Sequence, residues 1–397
     1  MKILSIGSPE EAKDILKKIG VDSYGVGSMA PKTLHLNILL ESQPCKVANI
    51  IKQEMLSLGG DAAIARGSVA CSVEASDILI MGTEKQIGQL SKKLRNQPFG
   101  LKKIAEDLSQ AINNLHVKKY VFRTSRRKMI LGERTLIMGI LNVTPDSFSD
   151  GGMFSDTDRA VKQALKMEEE GADIIDIGGE STRPGSKPVP ARVELQRVLP
   201  VIEALSRKIK IPISIDTQKA QVARRAVEAG AEIINDISAL NTDKKMGRTA
   251  GETGAGLVLM HMRGRPDNMQ KGDLTYGNLL GEIAEYLQKS VQTALKAGVE
   301  KDKIILDPGI GFGKTFEDNY KLIKNLSQLK TLGLPLLVGP SRKSFIGKIT
   351  GGEPRERLEG TAAAVAAAIM NGCHIVRVHD VAVMKKVAAV TDAIVRA

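Results

Sequence analysis

From Arg134 onward the chain repeats one pattern eight times: a short apolar run, a turn rich in Gly, Asp, Asn or Ser, then an amphipathic helical stretch. The runs are Leu136 to Leu141, Ile174 to Ile177, Ile213 to Asp216, Ile233 to Asp236, Leu257 to His261, Ile304 to Asp307, Leu336 to Gly339 and His374 to Val378. Such short runs, each ending in or leading into a polar residue or glycine, predict parallel strands buried on both faces. Thr157 to Glu170, Ala220 to Ala229, Asn278 to Lys296 and Arg355 to Asn371 have helical spacing, and Gly171, Gly230, Gly298 and Gly372 stand where helices end. Eight strand and helix units predict an α/β chain closed into a (β/α)8 barrel, the TIM-barrel fold. A doubly wound open sheet would want fewer strands and a GxGxxG turn, a spacing that Gly309, Gly311 and Gly313 do not have.

Residues 1–120 lack this repeat and read as a small α+β domain, which leaves 121–397 for the barrel. Thr33 to Glu41 alternates apolar and polar as a strand does, and Ile78 to Gly82 is a second strand. Lys46 to Leu58, Thr83 to Leu94 and Leu101 to Leu115 have helical spacing, with Gly59 and Gly60 as a turn. His35, between Leu34 and Leu36, decorates a strand rather than serving chemistry. No catalytic motif is visible in this part, which reads as an interaction or stabilising module. Tyr120 to Glu133 predicts an entry hairpin closing the bottom of the barrel.

Composition narrows the partners. Hydrophobic residues make up 42% of the 397 and charged residues 26%, ordinary for a globular protein. Ala362 to Met370 is too short to span a bilayer and Met1 to Pro9 has no secretory character, so a cytoplasmic protein with no membrane partner is expected. Cys45, Cys71 and Cys373 are widely spaced, without a CxxC pair, and are expected to be buried thiols. The net charge of +12 raises the question of nucleic acid, but there is no Trp, only five Tyr and seven Phe, and no long basic run, so no nucleic-acid partner is expected. The excess charge suits small anionic substrates as well as it suits a solvated surface.

In such a barrel, polar residues at the C-terminal strand ends face the active site. Strand one runs into Asn142 to Gly152 and strand two into Gly178 to Ser186, two long polar loops. The other ends carry Asp216 and Thr217, Asn235 and Asp236, His261, Asp307 to Lys314, Gly339 to Ser344, and Arg377, His379 and Asp380. Each could simply cap the next helix, but eight on one rim are harder to dismiss. Asp216, Asn235, Asp307 and Lys343 suit a flat heterocycle with adjacent N–H donors, because carboxylates only accept and an amide both donates and accepts. Asn142, Arg183, Arg377 and His379 combine two cationic forks with an amide oxygen of the kind that coordinates Mg²⁺, which points to an anion such as diphosphate.

NVTPDSFSDGG from Asn142, GGESTRPGS from Gly178, SIDT from Ser214, IND from Ile234, DPGIGFGK from Asp307, SRKS from Ser341 and RVHD from Arg377 come in one order that resembles the dihydropteroate synthase family over residues 125–397. The resemblance implies condensation of 6-hydroxymethyl-7,8-dihydropterin diphosphate with p-aminobenzoate, giving 7,8-dihydropteroate and diphosphate in folate biosynthesis. It implies that Asp216, Asn235, Asp307 and Lys343 hold the pterin, and that Asn142 (through Mg²⁺), Arg183, Arg377 and His379 hold the diphosphate. Thr182, Pro184, Phe148, Phe312 and Ser341 would frame the aminobenzoate. Asp150 would steady the cation or the amine, so that Asp150, Arg183 and Lys343 form the expected catalytic set.

Three other readings stay open: a pterin-dependent methyltransferase, a non-catalytic pterin binder, and a synthase using a ribosylated aminobenzoate. The first two have little use for Arg183, Arg377 and the long first loop. The resemblance implies a homodimer, and the alanine-rich face of Arg355 to Asn371 offers a close-packing surface.

Overall fold

The computed structural model describes residues 1–144, 153–182, 185–270 and 272–396. Asp150, Phe148, Arg183 and Pro184 lie outside the described residues. The chain divides into two compact units, Met1–His116 and Val117–Ala397.

The first unit contains helices α1 (Pro9–Ile19) and α2 (Ser23–Thr33), strand β1 (His35–Pro44), helix α3 (Cys45–Ser57), strands β2 (Asp61–Ala63) and β3 (Ala75–Thr83), and helices α4 (Glu84–Leu94) and α5 (Leu101–Leu115). The strands form an antiparallel sheet in the order β1-β3-β2. Ile78 and Ile80 alternate inward from β3 and meet Ile51, Met55, Ile87, Leu90 and Leu101 in one core. β1, β3, α3, α4 and α5 lie where the sequence pattern predicts them, whereas that pattern predicts no element before Thr33. In α1 the Ser8 hydroxyl accepts from Glu11 N and Gly20 ends the helix at φ 92°. By contrast, α2 carries two glycines and Pro31, which local propensity argues against.

One cysteine expectation is corrected here. Cys45 and Cys71 form a disulfide that ties the start of α3 to the loop before β3, and Cys71 is exposed. A separation of 26 residues conceals from the sequence that the two Cα atoms sit 5.5 Å apart, within bridging distance. Cys373 is a buried free thiol, as expected.

The second unit opens with the expected hairpin, β4 (Tyr120–Arg123) and β5 (Lys128–Leu131). Barrel strands follow: β6 (Leu136–Asn142), β7 (Ile174–Gly178), β8 (Ile213–Asp216), β9 (Ile233–Asp236), β10 (Gly256–Met260), β11 (Ile304–Asp307), β12 (Leu337–Val338) and β13 (Ile375–Val378). All pair in parallel, in the order β11-β10-β9-β8-β7-β6-β13-β12, and a Leu306–Leu336 bridge closes the ring. The helices between and after the strands are α6 (Met153–Glu169), α7 (Ala191–Ser206), α8 (Ala220–Ala229), α9 (Met246–Thr253), α10 (Leu279–Lys296), α11 (Phe316–Lys324), α12 (Ser344–Thr350), α13 (Leu358–Met370) and α14 (Val381–Arg396).

The strands' period of two sorts their side chains. Ile137, Ile175, Ile177, Ile215, Ile234, Leu257, Leu259, Leu306 and Val376 face outward into the core shared with the helices. The other parity fills the interior. Its lower layer, with Met138, Ile174, Ile233, Val258, Ile305, Leu337 and Ile375, packs on Tyr120, Phe122 and Leu131 of the hairpin. Phe122 is wholly buried, and a Cβ on Gly256 would run into its ring. The buried Glu232 carboxylate clamps the hairpin, accepting from Thr124 Oγ1 at 2.7 Å and Arg127 Nε at 2.8 Å. Two residues further along several strands, the interior parity turns polar: Asp176 on β7, Asp216 on β8, Asn235 on β9, Asp307 on β11 and Arg377 on β13.

Candidate active site

An apolar floor beneath a polar layer makes a cup, open at the C-terminal strand ends. Three of the expected pterin residues lie in it deeply buried, with Asp216 7% exposed, Asn235 2% and Asp307 5%. Arg377 enters from the opposite side of the ring. Its Nη2 donates to Asp216 Oδ2 at 2.7 Å and its Nε to Asp176 Oδ2 at 2.6 Å. Asp216 Oδ1 is buried with no protein partner among the described residues, as an acceptor kept for a ligand donor would be. Burial pushes the Asp216 carboxyl up, to about 7, against the pull of Arg377 and with a further push from Asp176.

Asp307 stands at the start of the glycine-rich turn and accepts from Gly309 N at 2.7 Å. Burial raises its carboxyl to about 6, although that bond, Lys343 and Arg377 oppose the rise. Gly309 has φ 72°, and a Cβ there would overlap the His261 carbonyl, so this turn requires glycine. The turn is held from within by the buried Lys314, whose ammonium donates to Gly309 O at 2.9 Å and Phe312 O at 3.1 Å and lies 2.9 Å from His261 Nδ1. Burial brings Lys314 down to about 7, with Asp307 and Asp318 pulling the other way. Phe312 is packed among Ile237, Met260, Met262 and Met269, and the Lys343 ammonium lies 4.1 Å from its ring centroid. Burial, helped by Arg377, lowers Lys343 to about 8, while Asp307 and Asp216 support its charge.

Lys343 follows a strained turn. Arg342 has φ 58° and is fixed by Asp380, with Nη2 donating at 2.6 Å. Ser341, expected at the aminobenzoate, is hydrogen-bonded through Oγ to His379 Nδ1 at 2.9 Å. Burial, with Arg342 and Arg377 adding to it, takes His379 down to about 3, which favours the neutral ring. Asn142 ends β6, and its Oδ1 and the Asp216 side chain converge on the bare Cα of Gly178. Thr182 is half-buried on the loop after β7. That loop is anchored by Lys219, which bridges Glu180 and the buried Glu194.

Asp176, Lys314, Glu194 and Lys219 are not among the site residues the sequence predicts. For Asp176 a signal existed: a carboxylate between isoleucines, in a strand buried on both faces, must find a partner. Glu194 and Lys219 meet across 25 residues and leave no local pattern, while Lys314 holds carbonyls of its own turn and only its contact with His261 is remote.

The site therefore defines a barrel enzyme that holds a flat, donor-bearing heterocycle next to an anion. Residues 138–379 match the pterin binding enzyme family, and the chain belongs to that family. It is 52% identical to a dihydropteroate synthase of Synechocystis over 267 residues, 67% of this chain and 92% of that one. A probable bifunctional folylpolyglutamate synthase/dihydropteroate synthase of Halobacterium salinarum is 41% identical over 376 residues, 95% of this chain and 45% of that one. That longer match takes in most of the first unit as well. Among solved structures, the dihydropteroate synthase of Clostridium difficile, crystallised in the presence of pteroic acid, is 48% identical with a TM-score of 0.64, covering 67% of this chain and 99% of that one. The Xanthomonas albilineans synthase with 4-aminobenzoic acid is 42% identical with a TM-score of 0.64, over 70% of this chain and 98% of that one.

Proposed function

We infer that this chain is a dihydropteroate synthase, a transferase of folate biosynthesis that joins 6-hydroxymethyl-7,8-dihydropterin diphosphate to p-aminobenzoate and releases diphosphate. The observation that carries this reading is the polar interior layer, with Asp216, Asn235 and Asp307 beside Arg377, in a chain half identical to synthases of that name. Asp216 and Asp307 accept from the ring N–H donors, Asn235 both donates and accepts, and Lys343 reaches a ring carbonyl or nitrogen. Arg377 and His379 receive the diphosphate. As the C–O bond breaks, its electron pair leaves with the diphosphate, and the methylene cation delocalises into a ring held by carboxylates. The neutral aryl amine attacks and loses its proton without needing a strong base. By resemblance Arg183 joins the diphosphate group, Asp150 steadies the cation, and Thr182, Pro184, Phe148, Phe312 and Ser341 frame the aminobenzoate. For Phe312 and Ser341 the roles are shared with contacts already made to Lys343 and His379.

A magnesium ion fits the donor set. Among the described residues no three His, Cys, Asp or Glu side chains converge on one point, and Asn142 offers one amide oxygen at the rim. Mg²⁺ keeps several waters and takes substrate phosphates as ligands, so a single protein oxygen suffices. When bound, it would offset the charge of the departing diphosphate.

We further propose a homodimer through α13 and α14. Val383, Val387, Val390 and Ile394 form an apolar stripe on α14, and Val390 and Ile394 are each 64% exposed. Ala363, Ala366 and Met370 extend it on the neighbouring α13. We place the enzyme in the cytoplasm. No helix among the described residues is long and apolar enough to cross a membrane. The direct test is turnover of the pterin diphosphate with p-aminobenzoate and with its ribosylated form, each with and without a chelator. Turnover with p-aminobenzoate that stops in chelator is expected; no product with either amine sinks the reading.

A further inference from the structure

Asp176 sits in the middle of β7 on the interior parity, and its carboxylate is completely buried. A buried carboxylate is tolerated only where its partners are fixed. Here a single oxygen, Oδ2, accepts from two of them, Arg377 Nε at 2.6 Å and Asn235 Nδ2 at 3.0 Å, while Oδ1 is buried with no partner among the described residues. Asp176 therefore joins the arginine read as a diphosphate contact to the amide read as a pterin contact. Arg377 spends Nη2 on Asp216 Oδ2 at 2.7 Å. An arginine held through Nε and Nη2 keeps its Nη1 donors for a further acceptor. A guanidinium released at Nε would be free to turn its fork flat onto Asp216 in the favoured bidentate geometry, covering both carboxylate oxygens.

We propose that Asp176 is a positioning residue for the reaction. By gripping Arg377 at Nε, it keeps the guanidinium from closing over Asp216, leaving Asp216 Oδ1 for the pterin ring and the Nη1 edge of Arg377 for the diphosphate of the same substrate. The same oxygen turns the Asn235 amide so that its carbonyl faces the ring. Both halves of the substrate are thus registered to one carboxylate through the two side chains it holds. The inference rests on the proposed function, because it takes the ring and the anion to be parts of one molecule.

The test is a double-mutant cycle of Asp176→Asn with Arg377→Ala, read by steady-state kinetics and by calorimetry with inorganic diphosphate and bare 6-hydroxymethylpterin as separate probes. Loss of one hydrogen bond to a charged group predicts that Asp176→Asn lowers kcat/KM about 30-fold and weakens both probes. In the Arg377→Ala background the same change should cost diphosphate affinity less than about 3-fold, because the group it acts through is gone. A merely structural role would give the same loss in both backgrounds. Either that result or full kcat/KM in Asp176→Asn overturns the proposal.

Should Asp176→Asn not fold, the unaltered protein supplies the readout. The ¹⁵Nε–H resonance of Arg377, identified by its loss in Arg377→Lys, should exchange slowly with solvent and stay protected when inorganic diphosphate saturates the site. Rapid exchange would refute the grip on Nε. A protein without synthase turnover defeats the functional reading instead, and leaves the exchange measurement standing.

Discussion

At the residue scale, the site is a set of charges held at the edge of ionisation. Asp307 and Asp216 are raised to about 6 and about 7 by burial, and Lys343 is lowered to about 8. Ring N–H groups need ionised acceptors, and the lysine must be charged to donate fully. The kcat/KM for the pterin substrate should therefore rise as the pH climbs through 6 to 7 and fall above 8, with the acid limb belonging to the carboxylates as a coupled set. A pH profile flat across this range would refute it. Stability of the ligand-free protein should move the other way on the acid side. These carboxyls bind protons more tightly folded than unfolded, so their contribution is full below their ordinary value of 3.8 and is lost as the pH rises through about 7. Asp216→Ala should cost on the order of 2 to 4 kcal/mol in transition-state binding, measured as kcat/KM. Removing Arg377 should weaken inorganic diphosphate binding and, because its fork also holds Asp216, weaken the bare pterin at neutral pH too. The strand-end residues were legible because the fold fixes which end of each strand is chemical. Their pairing was not, since Arg377 and Asp176 are 201 positions apart.

At the element scale, the barrel was legible because each strand is a short apolar run closed by turn residues, and that signal is local. Its hairpin plug was legible only in outline. That Phe122 would be the residue filling the floor depends on seven strands supplying the lower layer together. Phe122→Ala should therefore destabilise the barrel by about 3 to 5 kcal/mol in chemical denaturation, and a loss below about 1 kcal/mol would show that the plug is dispensable. In the first unit α2 stayed hidden, because its helix is set by packing of Val26 and Ala30 on Ala12 and Leu16 rather than by its glycine-rich sequence. The disulfide stayed hidden for the same reason: its two cysteines meet only after α3 and the loop before β3 have taken their places. Closing a loop across 26 residues should stabilise the first unit by about 3 kcal/mol. Reductant should lower the melting transition of the first unit and leave that of the barrel unchanged, as separable transitions in calorimetry would show.

At the scale of the whole molecule, the two units have separate cores, and every strand-end group of the candidate site belongs to the second. A chain beginning at Val117 keeps the hairpin and should fold and turn over substrate, whereas a folded barrel without activity would give the first unit a part in catalysis. Assembly is tested on the opposite edge of the sequence. Residues 383, 387, 390 and 394 repeat at intervals of four, three and four, which places them on one face of α14, and a helix in water gains nothing by keeping such a stripe apolar. A second copy related by a two-fold axis would cover the stripe with itself, which is how a self-complementary surface is buried in a closed dimer. Replacing Val390 and Ile394 together by Asp puts like charges opposite one another across that axis while changing only exposed positions, so the barrel itself should fold normally. Light scattering should show a mass of twice 42.7 kDa for the unaltered protein and 42.7 kDa for the double variant, with circular dichroism unchanged. A monomer before substitution, or a dimer that survives it, would remove α14 from the interface.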